Sequence, residues 1–575
     1  MIGGRFPVHT GIKFLVKVLL SIVMAFSAIT LARPAIGDSA ARVSQAKPVI
    51  FTDVTAAAKI TWTHENLATP EKYFIETMGG GGAFLDYDRD GWMDIYLVNS
   101  GATRFHKPKA PIRNALYRNN GDGTFTDVTE KSNTAGGGFG QGVACGDYNN
   151  DGYADIYITN FGKNVLLANN CDGTFKDVTD KARVGATGWS TSAAFFDYDN
   201  DGQLDLFVCN YLDWDFSKHM YCGENKPGYR SYCHPNNYKG VSNTLYRNNG
   251  DGTFTDVTKR AGVESAEGKG LGVVAADIND DGWTDIFVAN DAVRNFLFIN
   301  RGDGTFTESA LIAEVSYGLT GKPQSGMGCD FGDVDGDGRV DLVVTNIELE
   351  PNNVWHNNGD ETFTDVTVKA GLAKVALLFS GFGVRFVDYD NDGDLDQVIA
   401  NGHPLDNIHL FRDGVTWAER PFVHDNQGGT FTDVSDERGE AMKKRYSGRG
   451  LAMGDYDNDG DSDFLLVQNG GPPVLLRNDG GNRNNWVGLQ LVGAKSNRDG
   501  VGARVTVRAG DLTMVRQIAG GASYASAHDP RLILGIGGRA KVDSIEIRWP
   551  SGVVDRIKGA AVGRYTTVRE GQAAK

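Results

Sequence analysis

The chain has 575 residues, 41% of them hydrophobic, with 75 glycines and a formal charge of −16. That length and apolar content point to a folded body of two or more domains rather than a disordered chain. The acidity excludes nucleic-acid binding, which needs a basic face.

In chain order, residues 18–32 form an apolar run that follows Arg5, Lys13 and Lys17. This is the pattern of a secretory signal peptide, with Ala35-Ile36-Gly37 as a cleavage site, so residues 1–37 are read as the signal and 38–49 as a linker. Fifteen apolar residues are short for spanning a bilayer, and no later segment suits the task. The mature chain is therefore expected to be exported to periplasm, cell surface or medium, without a membrane span. An uncleaved N-terminal anchor is the alternative.

An isolated strand motif, Phe51–Thr55 (F-T-D-V-T), comes next. Seven acidic loops of the form D-x-[DN]-x-D-G-x-x-D follow, their starts 50 to 80 residues apart. The first three offer Asp86, Asp88, Asp90 and Asp94; Asp147, Asn149, Asp151 and Asp155; and Asp197, Asp199, Asp201 and Asp205. The fourth and fifth offer Asp277, Asn279, Asp281 and Asp285, then Asp333, Asp335, Asp337 and Asp341. The last two offer Asp388, Asp390, Asp392 and Asp396, then Asp455, Asp457, Asp459 and Asp463. Four carboxylates in nine residues repel one another unless a cation sits among them. Hard oxygen ligands around a turn-forming glycine suit Ca2+, and up to seven ions are expected. An EF-hand would need Glu at position 12; here that position is apolar (Leu97, Ile158, Val208, Val288, Val344, Ile399 and Leu466) and lies in a β-branched run. Asn149 and Asn279 remove one charge each, so loops two and four are expected to bind more weakly. Seven divalent ions would offset most of the chain's acidity.

Two further signatures share the period. One is the hairpin N-N-G-D-G-T-F, as at Asn119–Phe125 and Asn248–Phe254; the other is the F-T-D-V strand that follows it. Each unit thus holds four short antiparallel strands, which is the composition of a propeller blade. The fold expected is all-β, a seven-bladed β-propeller over residues 50–482 with a small C-terminal β-domain over 484–570. The last unit lacks its own F-T-D-V strand, so the strand at Phe51–Thr55 is expected to complete it and leave no long edge. Arg301-Gly302-Asp303 takes the hairpin position of Asn249-Gly250-Asp251 and is read as a turn.

Six cysteines are present. Cys222 and Cys233 flank a Gly/Pro/Tyr-rich insert and are expected to pair in an oxidising compartment. Cys145, Cys209 and Cys329 lie in apolar strands as buried thiols, and Cys171 occupies a turn.

Connections in a four-stranded blade alternate between two faces, which puts the longest insertions opposite the acidic loops. These are Ser100–Arg113, Tyr211–Ser242 and Gly402–Pro421, and they carry Arg104, His106, Trp214, His219, Tyr221, Arg230, Tyr232, His234, His403, His409 and Trp417. Long loops on a rigid scaffold commonly carry function, so these are the ligand-face candidates; for any one histidine a packing or solvated role is the plainer reading. An Asn or Gln ends the second strand of every unit: Asn99, Asn160, Asn210, Asn290, Asn346, Asn401 and Gln468. Either a polar collar for a ligand or a set of turn caps would account for them.

The D-x-D-x-D-G propeller resembles the FG-GAP and VCBS repeats of integrin α-chain heads and bacterial surface proteins. The tail, with Asn485-Trp486-Val487-Gly488-Leu489, Gly520-Gly521-Ala522-Ser523-Tyr524 and Arg548-Trp549-Pro550-Ser551-Gly552, resembles an ASPIC/UnbV domain. Together they resemble the cartilage acidic protein family over residues 50 to 570. The resemblance implies a calcium-dependent, secreted, non-catalytic protein. The expected role is binding of an extracellular or periplasmic protein or glycan through the insertion-bearing face. The alternatives are a polysaccharide lyase or glycosidase with two carboxylates in a central cleft, for which Asp291 or Glu348 could pair with a loop histidine, and a purely structural matrix component.

Overall fold

The computed structural model describes residues 48–105, 108 and 111–572; the signal, most of the linker and His106 lie outside them. Alternating residues of most strands are apolar on both faces because each sheet is packed between neighbours. The first four-stranded antiparallel sheet runs Gly82–Leu85, Asp94–Leu97, Ala115–Asn119 and Phe125–Asp127 in spatial order. Its first two strands are buried throughout. The same order recurs with inner strands Phe139–Gly146, Thr187–Phe196, Gly270–Ala276, Cys329–Gly332, Gly381–Val387 and Gly448–Gly454. The second and third of these seven sheets are joined where residues 187–189 pair with 161–163, and Gly520–Gly521 adds a strand to the fourth.

The sheet that begins at Gly448–Gly454 is completed by Ile50–Asp53, which pairs antiparallel with Val474–Asp479 in the register Phe51 to Asn478. The N-terminal strand therefore stands where the last repeat lacks its own.

Each hairpin is fixed locally. Gly121 and Gly123 take positive φ (72° and 79°), where other residues are strained. Asp122 accepts from the Thr124 backbone N–H at 3.0 Å. In the F-T-D-V-T strand, Phe125 points inward while the Asp127 carboxylate accepts from Thr129 N–H (3.0 Å) and from its hydroxyl, and so starts the short helix Thr129–Ser132.

One asparagine ties each sheet to the one before it. Asn119, Asn169, Asn248, Asn300, Asn357, Asn426 and Asn478 end the third strands. Each donates its side-chain N–H to the carbonyl at position 2 of the preceding acidic loop: Tyr456, Tyr87, Tyr148, Tyr198, Ile278, Val334 and Tyr389, at 2.7–2.9 Å. The series is cyclic, since the first sheet's Asn119 reaches the seventh loop.

From Asn485 the chain forms a three-stranded and a four-stranded sheet. Between them lies a core that includes Val487, Leu489, Val505, Val507, Leu534, Ile545 and Trp549. Residues 519–529 leave these sheets as a finger. Ala522 N–H donates to Val273, Ser523 N–H to Cys329, and Ala527 N–H to Gly82. Val143 N–H donates to the Ala525 carbonyl and Val384 N–H to the Ser523 hydroxyl. Ser192 Oγ accepts from Ala525 N–H, and Ser523 Oγ donates to Leu451. One finger thereby bonds the inner strands of all seven sheets. Ser523, Tyr524, Ala525 and Ser526 are buried. Gly81 makes room for it, since a Cβ there would lie 1.6 Å from the Ala525 carbonyl oxygen.

Candidate metal centres and the insertion-bearing face

The acidic loops share one hydrogen-bond plan. In the first, Asp86 accepts from the N–H groups of Asp90 (3.1 Å) and Gly91 (3.0 Å). Asp94 accepts from Tyr87 N–H (3.1 Å) and Asn119 N–H (2.8 Å), which fixes it against the third strand. Asp90 turns its Oδ1 to Trp92 N–H at 3.0 Å. Position 9 receives the same two backbone donors in all seven loops.

Positions 1, 3 and 9 converge. One oxygen from each of Asp86, Asp88 and Asp94 lies within 4.8 Å of the others, and the same holds for Asp197, Asp199 and Asp205, for Asp333, Asp335 and Asp341, and for Asp388, Asp390 and Asp396. Position 5 lies outside these groups; in the fifth loop Asp337 instead groups with Asp335 and His356. Buried Oδ1 atoms of Asp88, Asp199, Asp333, Asp388 and Asp457 receive no hydrogen bond from any described residue, and Asp333 and Asp388 are 4% and 5% exposed. Burial pushes Asp94 up to about 9, Asp341 to about 8, and Asp147, Asp197 and Asp455 to about 7. Crowded, buried, unsatisfied carboxylate oxygens are costly without a counter-ion. This donor set fits a hard divalent cation such as Ca2+.

A second feature of the loops is invisible in the repeat motif. The residue before the third-strand asparagine is Arg118, Ala168, Arg247, Ile299, His356, Asp425 or Arg477, and Arg118, Arg247 and His356 reach carboxylates of the loop. Arg118 donates to Asp88 (2.6 Å) and Asp90 (2.5 Å), and Arg247 to Asp199 (2.6 Å) and Asp201 (2.8 Å). In loops two and four, where position 3 is Asn, the corresponding residue is the uncharged Ala168 or Ile299. The charge difference behind the expected weaker binding of those two loops is therefore cancelled by an arginine in loops one and three.

The C-terminal strands rest on these loops. Asp499 accepts from Asp147 N–H (2.8 Å), Gln517 donates to the Asp277 carbonyl (2.8 Å), and Arg504 to Gly338 (2.7 Å). Arg516 donates to Gly393 (2.9 Å), Arg531 to Asp455 (2.8 Å), and Tyr565 to the Asp455 carboxylate (2.8 Å).

The insertions meet one another and the segment that precedes the first loop. Tyr73 stacks on Phe105 with centroids 4.8 Å apart and contacts Phe216 (5.1 Å) and His219 (4.6 Å). Arg104 lies over Phe105 and Phe216 at 4.6 and 5.7 Å. Arg230 lies over the exposed Tyr221 ring at 5.2 Å, and one of its N–H groups lies 3.1 Å from His219 Nε2. Asn407 donates to the Arg230 carbonyl (2.8 Å), which joins the second insertion to the third. Cys222 and Cys233 form a disulfide within the second. The remaining cysteines are free, with Cys209 and Cys329 buried, Cys145 half-buried and Cys171 exposed.

Other candidates serve the packing. Trp214 is buried against Trp189 and Phe161, and Tyr232 donates to Glu76 at 3.0 Å. The buried His403 pairs its Nε2 with Glu348 at 2.9 Å. His234 accepts from Asn236 N–H and starts a short turn. His409 is exposed and Trp417 half-buried. Six asparagines and Gln468 at the second-strand ends each donate a side-chain N–H to a backbone carbonyl of a neighbouring connection, so the turn-cap reading describes them. Arg301-Gly302-Asp303 is a hairpin turn, with Asp303 accepting from Thr305 N–H.

Beside the third insertion, Arg449 is fully buried. It donates to the carbonyls of Thr77 (2.9 Å), Gly402 (2.9 Å), Gly448 (2.8 Å) and His403 (3.2 Å) and lies 4.0 Å over the Phe382 ring. Tyr524 at the fingertip donates to the Met78 carbonyl at 3.1 Å. The segment around Phe74–Thr77 and the finger therefore meet. Sequence gave one hint of this: thirty residues separate Thr55 from the first loop, more than a turn needs.

Comparison with known proteins finds an FG-GAP-like repeat model matching residues 86–158, 147–208, 235–288, 277–344 and 333–399, and an ASPIC and UnbV model matching 493–575. Cartilage acidic protein 1 of Homo sapiens is 30% identical over 328 residues, covering 55% of this chain and 46% of its own length. The Xenopus tropicalis protein of that name is 29% identical over 313 residues, covering 52% and 44%. The chain thus spans less than half the length of these relatives. Among solved structures, an Agrocybe aegerita lectin aligns with 62% of this chain and 79% of its own at 20% identity and a TM-score of 0.35, a likeness too loose to carry an argument.

Proposed function

The chain belongs to the FG-GAP-like repeat proteins, and on that footing we propose that it is an exported, calcium-binding, non-catalytic β-propeller that binds an extracellular or periplasmic protein or glycan. Residues 50–482 form the seven-bladed ring, residues 484–570 the ASPIC/UnbV domain seated on its metal loops, and residues 1–37 the export signal. Support for a closed ring comes from the cyclic asparagine series and from a finger bonded to seven inner strands. Calcium, when bound, supplies positive charge to carboxylates that the chain itself leaves crowded. Positions 1, 3 and 9 of each loop hold the ion, and backbone N–H groups orient them.

The observation that carries the binding assignment is the convergence of the insertions on one aromatic and cationic surface. Phe105 is 47% exposed and Tyr221 51% exposed, and Arg104 and Arg230 lie against such rings. Exposed aromatics beside guanidinium groups suit stacking on sugars or on protein side chains. The catalytic alternative rests on the one pairing it called for, Glu348 with the loop histidine His403, beside Glu350 and Glu419, whose carboxyls burial raises to about 7 and 8. Tyr211 donates to Asp291, Ser325 N–H to Glu350 (2.7 Å) and Ser380 N–H to Glu419 (2.8 Å), while Glu348 is taken by His403.

The test is a glycan-array and protein-capture screen of the calcium-loaded chain beside its Arg104→Ala/Tyr221→Ala variant. Saturable binding lost in the variant, without product release, is expected. Turnover of a polysaccharide, or binding that ignores both substitutions, contradicts the assignment.

A further inference from the structure

On the opposite side from the insertions, a cavity of about 340 Å³ is lined by the first three sheets, by Arg385 and Met453 of the sixth and seventh, and by the C-terminal residues. At about 30 Å³ per water this is room for roughly ten waters or one molecule of monosaccharide size. In a chain of charge −16 its lining is basic: Arg89, Arg385, Arg498, Arg531 and Arg569 all contribute.

The acids of that lining are already engaged. Asp529 is taken by Arg531, whose Nη2 lies 2.6 Å from Oδ2. Asp499 accepts from Asp147 N–H, and Asp86 from N–H groups of its own loop. Several of the bases are not. The Arg498 and Arg569 guanidinium groups donate to no described residue, and Arg89 lies over the Tyr153 ring at 5.2 Å. Arg385 donates one Nη1 proton to Asp330 at 2.9 Å, but its Nε is buried without an acceptor among the described residues.

Deeper in, His528 has a defined tautomer. Its Nδ1 accepts from Met453 N–H at 3.1 Å, so the ring proton is on Nε2. That Nε2 is buried and has no well-aligned hydrogen bond among the described residues, with the Ala522 backbone carbonyl close enough to favour the protonated ring. Burial and the neighbouring Arg385 charge hold the imidazole neutral, well below its ordinary pKa. The buried Nε of Arg385, which has no acceptor among the described residues, and an imidazole N–H met only by a poorly aligned carbonyl leave room for an acceptor on one cavity wall. The two guanidinium groups that donate to no described residue, Arg498 and Arg569, favour one that is negatively charged.

We propose that this cavity binds the oxyanion of a small molecule, with the Nε2–H of His528 and the Nε–H of Arg385 as inner donors and Arg498 and Arg569 as the mouth clamp. The ligand class is a small carboxylate or phosphate no larger than a sugar acid. The site is separate from the insertion-bearing face, so it stands or falls apart from the function assigned there.

The test is calorimetric titration of the full calcium-loaded chain with glucuronate, inorganic phosphate and glucose, repeated on Arg498→Gln/Arg569→Gln and on His528→Ala. One anion is expected to bind saturably at one per chain while glucose does not, and the stronger of the two anions identifies an organic or an inorganic source. The mouth variant, altered only at guanidinium groups that donate to no described residue, is expected to bind at least tenfold more weakly with a melting temperature within about 2 °C of the parent. If neither anion binds more tightly than about 1 mM, or if both variants bind as the parent does, the cavity holds water only and the proposal fails.

Discussion

Within one acidic loop, charge is set by two residues rather than by the motif alone. Arg118 and Arg247 accompany loops with Asp at position 3; Ala168 and Ile299 accompany loops with Asn there. Over the ligand positions and this accompanying residue alone loops one to four carry the same charge, with Arg89 subtracting from the first and Asp280 adding to the fourth. Arg118→Ala should tighten metal binding at the first loop by roughly tenfold, because a cation within a few ångströms of the ion is removed at a site part-screened by solvent. Equilibrium calcium titration at low and high salt checks this; unchanged or weaker affinity would mean that Arg118 only orders the loop. The asparagine series makes a second prediction at this scale. Asn119 donates to both Met93 and Tyr456 carbonyls (3.0 and 2.8 Å), and Asn119→Ala leaves both buried acceptors unpaired. A loss of about 2 kcal/mol in denaturant unfolding is expected. A change within 0.5 kcal/mol would remove the closing bond from the account.

Among the elements, the finger at 519–529 matters most. Its small residues, Gly520, Gly521, Ala522, Ser523 and Ala525, let its backbone bond five inner strands and the Ser523 hydroxyl two more, and Ala522, Ser523 and Ala525 hold positive φ to do so. Replacing Gly81 with Val drives a side chain into the Ala525 carbonyl, so the finger should be displaced. Limited proteolysis is expected to cut between residues 517 and 532 in Gly81→Val and to leave the parent intact. Equal resistance in both would show that the finger does not need that approach. Sequence makes the acidic loops legible because their carboxylate spacing serves a local need and repeats. It likewise shows the closing strand at Phe51, whose missing hairpin is a defect of the repeat. The finger is not legible in this way. Gly-Gly-Ala-Ser-Tyr has no periodicity, and its partners come from seven distant strands. Asn119 and its equivalents stand in the N-N-G-D-G-T-F signature, yet their acceptors belong to the preceding sheet, which only packing reveals. Trp214 and His403 look like surface candidates in an insertion and are buried because the insertions fold back onto the sheets and their connections, Trp214 against Trp189 and Phe161 and His403 against Glu348.

For the whole molecule, the sheets are joined through the acidic loops, since the carbonyl that each asparagine grips lies inside one. Metal occupancy should then set the stability of the assembly rather than of isolated loops. The pH dependence follows. Burial raises the Asp94 and Asp341 carboxyls from 3.8 to about 9 and 8. Folding thus favours their protonated form. In the metal-free chain their contribution is present below pH ~4 and is lost as pH rises through 8 to 9. Protons stand in for the ion at low pH, so chelation should cost less melting temperature at pH 6 than at pH 8.

The most direct measurement is scanning calorimetry of the full chain at pH 8, calcium-loaded and after exhaustive chelation. A fall of at least ~10 °C, reversed by added calcium, is the expected result. Superimposable transitions would contradict a fold joined through its metal loops.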